Sequence, residues 1–221
     1  MGMRRKELPE PLPGKLRMLG EVGQRWLDDL DSLIAELEHE WGIRVGEALT
    51  GGSEAFVAAA TDNQGQAVVL KVAMPPLPGN TWFVNEVRAL RLADGNGYAR
   101  LLKYDLKRRA MLLERLGTPL SQAGLPAAEQ IRIICRVLRR AWIPQPETAA
   151  PGDVCRGFVQ LLDELAAGTE FAAPLVSGAR QLCMVRLREW QPAGTVLVHG
   201  DAHSSNLLEA GEGSEYKLID P

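Results

Sequence analysis

Residues 196–221 read VLVHGDAHSSNLLEAGEGSEYKLIDP, and this stretch decides the fold. Asp201 is followed five positions later by Asn206, then by the apolar pair Leu207-Leu208 and the glycine-rich segment Ala210-Gly211-Glu212-Gly213-Ser214. A second apolar run, Tyr216-Lys217-Leu218-Ile219, leads into another aspartate, Asp220. Short apolar runs on either side of a glycine-rich turn predict a hairpin, which folds Asp220 back beside Asn206. Phosphoryl transfer from a nucleotide needs a carboxylate to orient the acceptor hydroxyl and hard oxygen ligands for Mg²⁺. Asp201, Asn206 and Asp220 supply that set. A single Asp or Asn in a loop is more often a turn former, so the joint register carries the reading.

His199, Gly200 and Asp201 stand where the protein-kinase signature H-R-D-x-x-x-x-N places its first three residues, and Asn206 falls on its Asn. HGDAHSSN followed by LIDP resembles the aminoglycoside phosphotransferase family, small-molecule kinases that share the protein-kinase fold. Within that family the chain is most similar to the branch that holds streptomycin, viomycin and hydroxyurea phosphotransferases. The resemblance implies an α+β, two-lobed protein-kinase-like fold with a small β-rich N-lobe and a mainly helical C-lobe. It implies ATP and Mg²⁺ as cofactors, with Asp201 as the catalytic carboxylate and Asn206 and Asp220 as the metal ligands. His203 is read as a brace for the loop.

Upstream, a Pro-rich lead precedes Val22, Trp26, Leu30, Leu33, Ile34, Leu37 and Trp41, whose spacings of three and four predict an amphipathic helix over about 22–41, ended by Gly42. Three short β-type runs follow, at 44–49, 55–61 and 67–72, as an antiparallel meander. Gly51, Gly52 and Ser53 lie between the first two strands, where a nucleotide-covering loop lies in a kinase. They form either a plain hairpin turn or a set of backbone amides that approach phosphates.

Lys71 interrupts the apolar run AVVLKVA. It is either an edge lysine facing solvent or the third-strand lysine that contacts the nucleotide phosphates. A helix capped by Asn80 or Thr81 and running to about Ala93 carries Glu86, which is either a solvated carboxylate or the partner of Lys71. Residues 100–106 and 110–116 read as two further strands. The second resembles the linker between kinase lobes, where main-chain groups of Glu114, Arg115 and Leu116 hydrogen-bond an adenine. Beyond it Ile131, Ile134, Leu138 and Trp142 mark a helix, Val154, Phe158, Leu161, Leu162 and Leu165 a second, and Leu175, Leu182, Val185 and Leu187 a third, each stripe read as core.

The composition narrows the classes. A net charge of -3 argues against a nucleic-acid surface, which needs clustered Lys and Arg, and suits a cationic small-molecule acceptor. Cys135, Cys155 and Cys183 are scattered and odd in number, so they read as reduced thiols of a cytoplasmic protein. No run approaches the roughly 18 apolar residues of a membrane span, and no signal core follows the basic start.

Two lobes are therefore expected: residues 1–116 as an N-terminal helix plus a nucleotide-binding lobe, and residues 117–221 as a helical lobe with the catalytic loop and metal-binding hairpin. Family members continue well past the second Asp, so the resemblance implies a truncated, incomplete C-lobe. The expected activity is ATP-dependent O-phosphorylation of an aminoglycoside-like antibiotic or related small molecule. A catalytically silent nucleotide-binding or interaction fragment, or a kinase for choline or an amino sugar, is the alternative.

Overall fold

The computed structural model describes residues 8, 11–50, 52, 54–76, 81–144, 157–160, 162–163, 173–189, 196–211 and 215–221. Contacts gather the chain into two compact units, Met1–Ala141 with Val198–Pro221, and Trp142–Leu197.

The first unit is built on a five-stranded antiparallel sheet, β1 (Ile43–Ala48), β2 (Ala55–Asp62), β3 (Ala67–Ala73), β4 (Leu101–Asp105) and β5 (Ala110–Glu114), in the order β1-β2-β3-β5-β4. The expected meander is its first three strands. Successive side chains of a strand point to opposite faces, and here the faces have different fates. Phe56, Ala58 and Ala60 of β2, Val68, Leu70 and Val72 of β3, and Ala110 and Leu112 of β5 join one apolar core with Leu30, Ile34 and Leu37 of helix α2 (Glu21–Trp41). Residues one position out of phase, such as Val57, Val69, Lys71 and Leu113, line a cleft on the other side.

The N-terminal lead departs from its expected form. Leu12–Met18 is a helix, α1, whose Leu12 and Leu16 are fully buried in the same core. Pro13 stands in its first turn, where a backbone N–H has no intrahelical acceptor, so proline is tolerated there. Helix α2 ends as expected: Gly42 adopts φ +65° and its N–H bonds the Glu38 carbonyl.

Helix α3 (Trp82–Ala93) buries Phe83, Glu86, Val87 and Leu90. Thr81 holds its N-cap position without capping through its side chain; its Oγ1 instead accepts a hydrogen bond from Asn85 Nδ2 at 3.2 Å. Asn80, the other expected cap, lies outside the described residues. Strand β5 stops at Glu114 rather than at Leu116, and by Gly117 the chain bonds a different element, its N–H donating to the Glu209 carbonyl at 2.8 Å.

Helix α4 (Ala127–Ala141) turns a different stripe inward from the one expected. Ile133, Val137 and Ala141 are buried, four apart on the side that meets the terminal hairpin, whereas Ile131 is 59% exposed. The helix end is pinned through Arg140, whose carbonyl accepts from Asn96 Nδ2 and whose Nη2 reaches the Tyr216 carbonyl.

Gly97 makes this junction possible. It has φ +73°, and an added Cβ would lie 2.9 Å from the Ala141 Cα. Gly97→Ala is expected to lower stability by about 2 kcal/mol or more in urea unfolding, from backbone strain and a clash that neither main chain can relieve. Gly124, at φ +68° with open space around it, is the control, and Gly124→Ala should cost clearly less. Equal losses would refute the packing argument.

In the second unit β6 (Ile143–Pro144) pairs with β7 (Val196–Leu197), and helix α5 (Ala173–Glu189) carries Arg180, which bonds Asp163 at 3.3 Å. The third expected helix is thus present, but Leu175 and Leu182 are about 70% exposed rather than core. Within the expected second helix, residues 157–160 and 162–163 are helical; Val154, Leu161 and Leu165 lie outside the described residues. Among the described residues no helix is long and apolar enough to cross a membrane.

Candidate active site

Across the sheet face from the α2 core lies a cleft of about 620 Å³, wholly within the first unit. Its upper wall is Leu49, Val57, Val69 and Leu113; its floor is Leu208 and Ile219, from the hairpin of β8 (Leu207–Glu209) and β9 (Tyr216–Leu218). Apolar walls on either side suit a flat aromatic ring. None of these six was singled out in the sequence as a cleft residue. They are ordinary positions in or next to strands, and only the strand phase set by Lys71 would have revealed Val69 on β3.

Lys71 sits mid-strand between Val57 and Met111 and is only 6% exposed. Its ammonium donates to Glu86 Oε1 at 2.6 Å and to Asp220 Oδ1 at 2.7 Å. Trp82 precedes Glu86 by one helical turn, so both face the same point, and the ammonium lies 5.2 Å from the Trp82 ring centroid. Burial opposes the Lys71 charge, but the Glu86 and Asp220 carboxylates outweigh it and raise its pKa. Burial pushes Glu86 up, with Lys71 offsetting only part of the cost. Asp220 feels burial too, yet the Lys71 charge and hydrogen bond hold it below its ordinary value. An ammonium between two carboxylates is a charge reserve that an anionic ligand can share.

The loop before the hairpin is braced by His199, which is 5% exposed and stacks on Tyr98. The Asp201 N–H donates to His199 Nδ1 at 3.2 Å, so the ring proton belongs on Nε2, which donates to the Ile219 carbonyl at 2.6 Å. Burial lowers the His199 pKa despite that bond, which keeps the ring neutral. A folded-state pKa below the ordinary 6.5 means stability is complete above about 6.5 and is lost as pH falls through the folded value. The melting temperature should therefore drop below pH 6.5, and His199→Gln should flatten the part of that slope due to this ring. An unchanged slope would refute the assignment.

Asn206 Nδ2 donates to the Asp201 carbonyl at 3.1 Å, which leaves Asn206 Oδ1 as its free hard ligand. The Ile219 N–H bonds the Asn206 carbonyl at 3.0 Å, so the hairpin brings Asp220 next to Asn206. Asp220 itself adopts φ +58°, an uncommon conformation for a residue other than glycine and one found at functional sites. His203 braces the loop as expected: its Nδ1 accepts the Ser205 N–H at 3.2 Å, and its Nε2 lies 3.7 Å from Asp201 Oδ2.

The cleft thus gathers Lys71, Glu114, Leu116, Asp201, Asn206, Asp220 and Gly52, while Glu86 stands behind Lys71. A Cβ on Gly52 would meet the Ala55 carbonyl at 2.6 Å and Val57 Cγ2 at 2.9 Å, so the backbone there runs too close to β2 for a larger residue. Gly51 and Ser53 lie outside the described residues. The donor set fits Mg²⁺, which prefers carboxylate and carbonyl oxygens, and the cradle fits a nucleotide.

Comparison with known proteins bears on the family and the fold. Residues 41–221 match the family model described as aminoglycoside/hydroxyurea antibiotic resistance kinase. The chain is 31% identical over 225 residues to a hydroxyurea phosphotransferase from Kitasatospora aureofaciens, an alignment covering 97% of this chain and 63% of that protein. It is 28% identical over 227 residues to a streptomycin 6-kinase from Streptomyces glaucescens, covering 97% of this chain and 69% of the relative. The chain therefore spans about two thirds of the length of these relatives, and less than that for the first. Among solved structures it resembles a choline kinase from Cryptosporidium parvum (TM-score 0.57, 12% identity, 85% of this chain and 63% of that one). It also resembles a macrolide 2'-phosphotransferase from Brachybacterium faecium (TM-score 0.55, 19% identity, 86% and 70%). The fold is that of the protein-kinase-like phosphotransferases.

Proposed function

The chain belongs to the aminoglycoside/hydroxyurea antibiotic resistance kinase family, and from that premise we propose that it transfers the γ-phosphoryl group of MgATP to a hydroxyl of an aminoglycoside-like antibiotic or related small molecule. The observation that carries the reading is the meeting of Lys71, Asp201, Asn206 and Asp220 on one cleft with apolar walls.

In this reading the purine lies between Val57 and Val69 above and Leu208 and Ile219 below, against the main chain of Glu114 and Leu116. Gly52 lets backbone approach the phosphates, and Lys71, held by Glu86, binds them. Asn206 Oδ1 and Asp220 would hold Mg²⁺, which neutralises phosphate charge when bound. Asp201 orients the acceptor hydroxyl and takes its proton. Residues 1–116 act as the nucleotide lobe and residues 117–221 carry the loop and hairpin that meet it. A negative net charge suits a cationic acceptor, and a cytoplasmic location, where ATP is at hand, fits this reading.

The test is acceptor-dependent ADP release with MgATP across streptomycin, viomycin, hydroxyurea and choline. Release with one of the first three supports the proposal, and release with choline alone would move the activity to a metabolite kinase. A melting shift with MgATP but no turnover on any acceptor would make the chain a nucleotide binder.

A further inference from the structure

Lys217 lies outside the cleft, at the middle of β9 opposite Leu208. Its neighbours Tyr216 and Leu218 are buried, and strand alternation sends Lys217 to the other face. There its ammonium bonds Glu114 Oε1 at 2.5 Å, across 103 residues of sequence. The same oxygen accepts the Arg100 N–H at 2.7 Å. Glu114 is the last residue of β5, and the chain passes from it directly into Arg115 and Leu116 at the cleft edge. Three residues beyond Lys217 is Asp220, already bound to Lys71.

One carboxylate oxygen therefore ties the strand end that borders the purine end of the cleft to the hairpin that carries Asp220. Resting on the nucleotide reading of the cleft, we propose that Lys217 is a positioning residue: through Glu114 it sets the spacing between the purine-facing main chain and the metal-facing carboxylate. A ligand that spans both ends gains from a preset spacing, whereas a ligand that engages one end gains nothing. A partly exposed ion pair adds little to overall stability, so its loss should show in binding rather than in folding.

The test compares three probes by calorimetry on the full chain: MgATP, which spans the cleft, and adenosine and magnesium tripolyphosphate, which engage one end each. Lys217→Met is expected to weaken MgATP about fivefold while leaving both half-ligands and the melting temperature unchanged, and Lys217→Arg should retain wild-type affinity. Lys217→Leu, which also removes the ammonium and leaves Glu114 with its Arg100 bond, should show the same pattern if Lys217→Met does not fold. Equal MgATP affinity in wild type and Lys217→Met, or parallel losses for all three probes, overturns the positioning role while leaving the nucleotide site intact. A wild-type chain that binds none of the three probes overturns the nucleotide reading itself, and this role with it.

Discussion

Asp201→Ala is expected to cut acceptor-dependent ADP release about a thousandfold while changing MgATP affinity by less than about twofold. The loop that carries Asp201 is held by its main chain. Its N–H bonds His199 Nδ1, its carbonyl accepts Asn206 Nδ2, and His199 is in turn anchored to the Ile219 carbonyl. Removing the carboxylate touches none of these bonds. The side chain is 78% exposed, so no core contact is lost and the melting temperature should hold. The effect should fall on kcat, because a group that takes a proton only as the hydroxyl attacks contributes little to binding nucleotide. Turnover within tenfold of wild type would remove Asp201 from the proposed role and leave the site without its base.

Lys71→Met should be the most damaging single change to stability and activity together. Methionine matches the length of the lysine stem but leaves Glu86, 1% exposed, without the cation that bonds its Oε1. Removing one member of a buried pair typically costs about 3–5 kcal/mol. Part of that loss is recovered if Glu86 takes up a proton, since burial and the nearby Asp220 already push it upward. In the variant the folded Glu86 pKa lies above its ordinary 4.5, so stability is fully present below about 4.5 and is lost as pH rises through the folded value. Denaturant midpoints should therefore fall as pH rises from 4.5 toward neutrality. Adding Glu86→Gln to Lys71→Met should restore stability at neutral pH and abolish that slope. MgATP turnover in the single variant should drop at least about a hundredfold, because the phosphate loses its fixed cation. A stable, pH-independent Lys71→Met chain would show that the pair is not the buried charge cluster described here.

The parts of the site legible in the sequence share one property: their chemistry is written at short range. Asp201, Asn206 and Asp220 lie within twenty residues, joined by a glycine-rich segment between two apolar runs that predicts a hairpin, and that hairpin is present. Lys71 breaks a local expectation, a charge in an apolar strand, while Glu86 is an ordinary helix carboxylate until the two meet at 2.6 Å. Helix α2 and the three-strand meander followed from periodicity.

Other features depended on partners distant in sequence. Helix α1 was hidden because prolines in a first turn look like a loop until Leu12 and Leu16 find the core. The apolar stripe of α4 is wider than the face it buries: contact with β9 selects Ile133 and Val137 and leaves Ile131, at the edge of that stripe, exposed. A strand pattern also leaves open which of its two faces meets a helix and which walls a cleft, so Val57 and Leu113 carried no signal and Val69 carried only the phase of Lys71. By itself, then, the sequence marked the loop of Asp201, the hairpin and the two candidate ends of the ion pair, because each is specified by residue type at short spacing. Tertiary structure alone decided the cleft walls, the His199 anchor on Ile219 and the Lys217–Glu114 link. These need sheet register and packing to bring chain segments together, and one residue of slip would turn each side chain to the opposite face.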